Sequence, residues 1–361
     1  MELGTAGTRI DLNRQHSLAV VLFQLGGPDS LAAVEPFLHN LFSDPDIFDF
    51  PTARLARPLL ARVISSRRAE KVQHHYARIG GKSPIADLTR RQAQALEREL
   101  GTHIDARVFV AMRYWHPLTR QAVEEIASEH FEEVVLLPLY PQFSKTTSGS
   151  SLNEWSRHQH LLPRTLPVAT VPAFYNQPLY LNAMVECISQ GLDRVRNRLA
   201  SDGRSLGPSH DHSKIHLLFS AHGLPLHVIE GGDPYQKQIE STVELLTERG
   251  GWPYPHALCY QSRVAPGRWL GPSLESTIER LGREGVRSVL VIPVSFVTDH
   301  IETLYEINIE AREHAAQAGI EHFELMPALN DSPKFIAALA DLVLRNSRLL
   351  ADLEATAASR T

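Results

Sequence analysis

Cysteine is scarce: the 361 residues hold two, Cys187 and Cys259, which stand far apart and form no CxxC pair. That excludes a four-cysteine zinc or iron–sulfur site within one chain, suits a reducing compartment, and leaves both thiols as core residues. Long apolar runs are missing too. No stretch approaches the roughly 18 residues of a membrane span. The opening Met1-Glu2-Leu3-Gly4 has neither a basic n-region nor a clear apolar h-region, so a cytoplasmic protein is expected. Positive charge is not in excess: 36 Lys and Arg face 41 Asp and Glu, mixed along the chain, for a net charge of -5, which argues against a nucleic-acid partner. Three catalytic signatures fail on spacing. No GxGxxG follows the first strand, Tyr76 stands where the first glycine of a phosphate loop ending in Gly81-Lys82-Ser83 would be, and Leu152 replaces the second glycine of a nucleophile elbow around Ser150. Dinucleotide binding, ATP hydrolysis and acyl transfer therefore lack support.

What is present is hydrophobic material for two cores, 43% of the residues, and two domains are the expectation. Eight short runs rich in Val, Leu and Ile read as buried parallel strands, beginning near Leu18, Ile104, Glu133, Pro167, Lys214, His256, Arg287 and His322. They fall into two versions of one unit. Val134-Val135-Leu136-Leu137-Pro138-Leu139 recurs as Val289-Leu290-Val291-Ile292-Pro293-Val294, each after a helix-like stretch, 121–129 and 276–284. Leu22-Phe23-Gln24-Leu25-Gly26 has its counterpart in Leu217 to Gly223. The spacing predicts an α/β protein of two similar Rossmann-like domains, each with a parallel four-stranded sheet flanked by helices, over 1–174 and 175–345 with a tail at 346–361. They should join near 172–178 and face a ligand cleft. Ser201 to Ser213 reads as a polar surface loop. His210, His212 and His216 in and after it read as solvated or as an adventitious metal binder. The segment from about 37 to 60 interleaves apolar residues with Pro45, Pro51 and Pro58, as a core plug or the lip of an apolar pocket would.

The most informative stretch runs from Phe296 to Glu310, directly after an apolar strand. As an α-helix of about 100° per residue it would bring Asp299, Glu302, Glu306, Glu310 and Glu313 to one face. A solvated acidic face is the ordinary explanation. Its position at a strand's carboxyl end, where parallel sheets place their sites, points instead to cations or protons in transit. His222 ends the run Ile215 to Ala221 just before Gly223 and Pro225, at the equivalent edge. An imidazole opposite a carboxylate suits a divalent metal such as iron(II), which takes nitrogen and oxygen ligands, and equally suits proton abstraction near neutral pH.

These segments resemble the ferrochelatase family. The likeness is carried by Leu25-Gly26-Gly27-Pro28, Arg78 to Ile85, Arg113-Tyr114-Trp115-His116-Pro117, Tyr140 to Ser144, Ser148 to Asn153, Phe219 to Pro225, Gly232-Asp233-Pro234-Tyr235, Gln261-Ser262-Arg263, Trp269 to Pro272 and Thr298 to Glu306, in family order from about 18 to 342. The resemblance implies chelatase-type domains around a porphyrin cleft. It implies that Fe(II) is inserted into protoporphyrin IX with release of two protons. His222 and Glu302 then carry metal and proton chemistry, with Asp299, His300, Glu306 and Glu310 along an acidic path. Leu25, Arg113, Tyr114, Tyr140, Ser150 and Ser151 fall at porphyrin-pocket positions. The segment 37–60 matches an active-site lip that in membrane-associated relatives also meets the bilayer, so peripheral membrane contact is expected. Some relatives hold a [2Fe-2S] cluster, but Lys145 occupies its internal cysteine position and Leu353 to Thr361 has no cysteine. No cluster and no tightly bound cofactor are expected, Fe(II) being a substrate.

The chemistry fits these residue types. A flat free-base porphyrin hides its nitrogens, so bending it needs binding energy from apolar walls and carboxylate contacts. A base such as His222 must then take the pyrrole protons. The alternatives are a coproporphyrin III ferrochelatase, another tetrapyrrole chelatase, and a haem carrier without turnover.

Overall fold

The computed structural model describes residues 17–47, 57–163, 165–201, 215–262 and 267–349. The centre of the expected lip (48–56), His210, His212, Arg263 and the tail beyond 349 lie outside the described residues. The N-terminal half runs β1 (Ser17–Gln24), α1 (Val34–Phe42), α2 (Arg57–Ala77), α3 (Ile85–Leu100), β2 (Asp105–Met112), α4 (Thr119–Ala127), β3 (Glu133–Pro138), a π-helix at Lys145–Gly149, α5 (Ser150–His158) and β4 (Val168–Thr170). The C-terminal half runs α6 (Pro178–Ser201), β5 (Ile215–His222), α7 (Leu226–Glu230), α8 (Tyr235–Gly250), β6 (His256–Gln261), α9 (Leu274–Arg283), β7 (Ser288–Pro293), a second π-helix at Glu302–Ala311, α10 (Arg312–Gln317), β8 (His322–Leu325) and α11 (Pro333–Asn346). Every strand starts within one residue of the position expected from the apolar runs.

Each half forms a four-stranded parallel sheet, ordered β2-β1-β3-β4 and β6-β5-β7-β8. The central strands explain the continuous apolar runs, because both of their faces are covered. Leu18, Val20 and Leu22 point into the largest core, while Ala19, Val21 and Phe23 face a second one closed by Trp155 of α5. Fully burying each of the Leu, Val and Phe side chains contributes about 1.5–3 kcal/mol. In α9 the buried residues Leu274, Thr277, Ile278 and Leu281 follow the helical stripe, and Ser273 Oγ caps the helix by accepting from Ser276 N at 3.1 Å. That cap starts α9 two residues before the expected 276. On α4, Gln121 plays a matching part by accepting from Leu118 N at 2.7 Å.

The two sheets share one core. Residues of β1 and β3 belong to the same buried cluster as residues of β5 and β7, with Tyr180, Met184 and Ile188 of α6 and Phe335 and Leu339 of α11 among them. Helix α11 packs on α6 and on α3, and the chain then returns to the first sheet. There Glu133 accepts from Ser347 Oγ and from the backbone N of Arg348 and Leu349. Polar bridges join the carboxyl edges. Gln142, just after β3, donates to the Val294 carbonyl just after β7 at 3.2 Å and to Thr242 Oγ1 at 3.0 Å, and Gln92 of α3 donates to Thr298 Oγ1 at 3.0 Å. Above this junction Val34, Phe37, Leu38 and Phe42 of α1 and Ala61 and Tyr76 of α2 form an apolar cluster with Tyr114, which follows β2, and Leu25 and Ile301 pack against it from the two sheet edges.

Candidate active site

His222 is the last residue of β5. Its backbone is fixed on both sides: its N–H donates to Ser295 Oγ and its carbonyl accepts from Tyr235 Oη, each at 3.0 Å. Its Nδ1 lies 2.8 Å from Glu302 Oε2. With a carboxylate at Nδ1, that nitrogen carries the proton in the neutral ring and Nε2 is left as the basic one. Burial alone would lower the imidazole pKa, but the Glu302 charge and hydrogen bond outweigh it and hold the ring above its ordinary value. Burial works the other way on Glu302, and His222 and His300 together hold its carboxyl well below the usual range. His300 is buried, its Nδ1 bonded to the Thr298 carbonyl at 3.0 Å and its Nε2 3.6 Å from Glu302 Oε1. Phe296 stands edge-on to both imidazoles, with ring centroids 6.4 Å and 4.5 Å away.

Glu302 opens the second π-helix. The expected α-helix is thus corrected: hydrogen bonds from i to i+5 widen the turn and redistribute the acidic residues. Glu302 and Glu306 converge on one hydroxyl, Ser262 Oγ, which lies 2.9 Å from Glu302 and in close contact with Glu306. Ser262 reaches them from a backbone φ of 64, a left-handed conformation unusual for serine. A serine has one proton to donate, so two ionised carboxylates cannot both be satisfied by it. Burial first, then the Glu302 charge, push Glu306 up to about 7. Asp299 turns elsewhere. It accepts from Thr303 Oγ1 at 3.0 Å and Asn330 Nδ2 at 2.9 Å, and lines a separate cavity of about 350 Å³ with Arg194, Arg198 and Arg312. Glu310 is exposed, and Glu313 pairs with Arg78 at 2.8 Å. The structure therefore brings His222, His300, Glu302 and Glu306 together and leaves Asp299 and Glu310 outside that cluster.

Helix α2 covers the π-helix from the opposite half. His75 stacks on Tyr305 with centroids 4.0 Å apart, and the buried Tyr76 hydroxyl is pushed up by burial and by the charges of Glu302 and Glu306. Tyr76 sits beside the close approach of Gly27 and Ser83: a Cβ on Gly27 would stand 2.5 Å from Ser83 Oγ.

The residues expected in the porphyrin pocket separate into two groups. Leu25 and Tyr140 are half-buried at the edge of the first sheet, and burial pushes the Tyr140 hydroxyl up, with Ser151 and Arg113 beside it. Ser151 is buried. Arg113, Tyr114 and Ser150 all close on the fully buried carboxylate of Asp44, at 2.9, 2.5 and 2.6 Å. Sequence reasoning gives no site role to Asp44, Ser262, Ser295, Phe296, Tyr76 or Asn330. For Asp44 a signal existed, an acid set within an apolar segment; Ser262 stood in the Gln261-Ser262-Arg263 motif, but nothing there marked its contact with Glu302 and Glu306, which comes from the tertiary fold.

The chain resembles known proteins in sequence and in fold. The family model described as Ferrochelatase matches residues 17–347. The chain is 47% identical over 325 residues to a ferrochelatase of Geotalea daltonii, covering 90% of this chain and 96% of that one. It is 45% identical over 328 residues to a ferrochelatase of Aquifex aeolicus, covering 90% and 97%. Among solved structures, SirB from Bacillus subtilis with Fe3+ superposes with a TM-score of 0.52 at 10% identity, over 92% of this chain and 96% of that one, a likeness of fold.

Proposed function

Because the chain belongs to the ferrochelatase family, a family of metal-chelatase enzymes, we propose that it inserts Fe(II) into protoporphyrin IX, with His222 and Glu302 acting on the ion and the pyrrole protons. The observation that carries this is the 2.8 Å His222–Glu302 pair at the carboxyl edge of the second sheet. His222 Nε2 takes a pyrrole N–H proton, and Glu302 stabilises the imidazolium that forms. Glu306, held near neutral pKa, receives protons through Ser262. The dication approaches along the same carboxylates. Two protons leave as two pyrrole nitrogens bind the ion, so charge is conserved.

Protoporphyrin is favoured over coproporphyrin by two features. The wall supplied by α1 and α2 is apolar, and the Arg113 guanidinium on the opposite edge already faces Asp44 and Glu154. Two further carboxylates without partners would cost several kcal/mol to bury. An anaerobic assay with Fe(II), following the Soret band with each porphyrin, should give the higher kcat/KM for protoporphyrin; a higher value for coproporphyrin overturns the choice.

The reaction is proposed to need no iron–sulfur cluster. Cys187 and Cys259 are buried, and burial raises their thiols to about 11 and about 12; Lys145 Nζ donates to the Gly231 carbonyl at 3.1 Å. Acid-labile sulfide in stoichiometric amount would refute this. No helix among the described residues is long and apolar enough to cross a membrane. Leu59, Leu60 and Val63 are exposed at the start of α2 beside Arg62 and Arg67, which fits peripheral contact with an anionic lipid surface. Sedimentation with phosphatidylglycerol vesicles, and none with phosphatidylcholine, is expected.

A further inference from the structure

Asp44 follows α1 and is buried without a trace of side-chain exposure. A buried carboxylate in an apolar segment is costly unless each oxygen is satisfied, and here both are. Oδ2 accepts from Tyr114 Oη at 2.5 Å and Ser150 Oγ at 2.6 Å. Oδ1 takes Arg113 Nη2 at 2.9 Å and the backbone N of Asp46 at 2.9 Å. The partners are fixed in turn. Arg113 N and Tyr114 N donate to the carbonyls of Gln24 and Leu25 at the end of β1, Arg113 Nε donates to Ser150 Oγ at 2.8 Å, and Asn40 of α1 donates to the Tyr114 carbonyl at 3.0 Å. Two residues on, Asp46 is held by Asn153 at 3.0 Å and Arg157 at 2.8 Å of α5.

We propose that Asp44 is a positioning residue that clamps the α1 lip to the edge of the first sheet and holds Arg113 as a neutralised strut, so that porphyrin meets a preformed apolar wall. Glu154 lies 3.6 Å from Arg113 Nη1 and is itself paired with Arg157 at 2.7 Å. Arg113 is thereby a part of the clamp and no receptor for a substrate carboxylate. This rests on the ferrochelatase reading for its substrate, but Asp44 bonds to neither His222 nor Glu302.

The test uses the full chain with Asp44→Asn, Tyr114→Phe and the double variant Asp44→Asn/Arg113→Gln. In Asp44→Asn the porphyrin KM should rise about tenfold or more while kcat stays within about threefold and the Fe(II) KM is unchanged. Amide exchange over residues 34–47 should quicken by at least about tenfold without substrate. The double variant removes the stranded guanidinium, so Tm should recover in part while KM stays high. A fold-only role would make KM recover with Tm, which overturns the proposal, as does a normal KM or a fall in kcat equal to that in kcat/KM. If Asp44→Asn does not fold, Tyr114→Phe, with one bond removed, should raise KM about threefold; an unchanged KM there counts against the clamp. Should the wild type metallate no porphyrin, the functional reading fails and the exchange experiment alone decides: faster exchange confined to 34–47 supports the clamp, and unchanged exchange refutes it.

Discussion

The carboxyl edges of the two sheets share a backbone plan and differ in electrostatics. In each half the first strand ends in a turn at glycine, the second leads to a proline whose carbonyl pairs with it (Met112 N to Pro117 O, Tyr260 N to Pro272 O), and the third runs into a π-helix. At the first edge the polar groups pair off, since Arg113 faces Asp44, Glu154 pairs with Arg157, and Tyr114 and Ser150 donate to Asp44. At the second edge they do not. Two carboxylates share one serine hydroxyl, and their pKa values are driven apart, Glu302 down by the histidines and Glu306 up by burial and by Glu302. Under the proposed function, one edge stays as it is and the other exchanges protons and a cation. The same scaffold supports both, so function resides in the side chains placed on it.

The sharpest way to break the comparison is at the second edge. His222→Ala and Glu302→Gln should each lower turnover by about two or more orders of magnitude while porphyrin affinity, read by fluorescence titration, stays nearly intact. Affinity lost in step with turnover would erase the distinction between the edges. Next, Gly223→Ala places a Cβ 2.8 Å from the Gln261 carbonyl, between His222 and Ser262. Turnover should fall about tenfold and stability by about 1–3 kcal/mol, measured by kinetics and denaturant unfolding.

Glu306→Gln tests the unsatisfied charge itself. A carboxyl raised from 4.5 to about 7 in the fold contributes stability that is complete below about pH 4.5 and is lost as pH rises through about 7. The variant should therefore match the wild type near pH 5 and exceed it by on the order of 1–3 kcal/mol at pH 8, seen as a higher Tm. An equal difference at both pH values would mean that Glu306 is not the titrating group. The smallest effect is expected of Glu310→Gln, because that side chain is exposed. Its turnover should change by no more than about threefold, mainly through the dependence on Fe(II) concentration at low salt.

The strand positions, the internal repeat and the placing of His222 at a strand end were legible in the sequence, because parallel strands covered on both faces write continuous apolar runs. The acidic residues after β7 were legible as a group, but the grouping into Glu302 with Glu306, apart from Asp299, was not. That depended on a π-helical turn whose hydrogen bonds no side-chain period announces, and on Ser262, whose φ of 64 no local sequence pattern marks. The α1 lip was visible as an apolar segment, yet its fastening was not. Asp44 and Ser150 stand 106 positions apart and meet at 2.6 Å.

The sequence by itself determined the two parallel sheets, the strand end at which His222 stands, and the family to which the chain belongs. Tertiary structure alone decided that the two halves share a core, that Arg113 is neutralised, and that two carboxylates must share one hydroxyl. The physical reason is range. Burial periodicity is written within a few residues, whereas the charge state of a buried group is set by whatever distant segment folds against it.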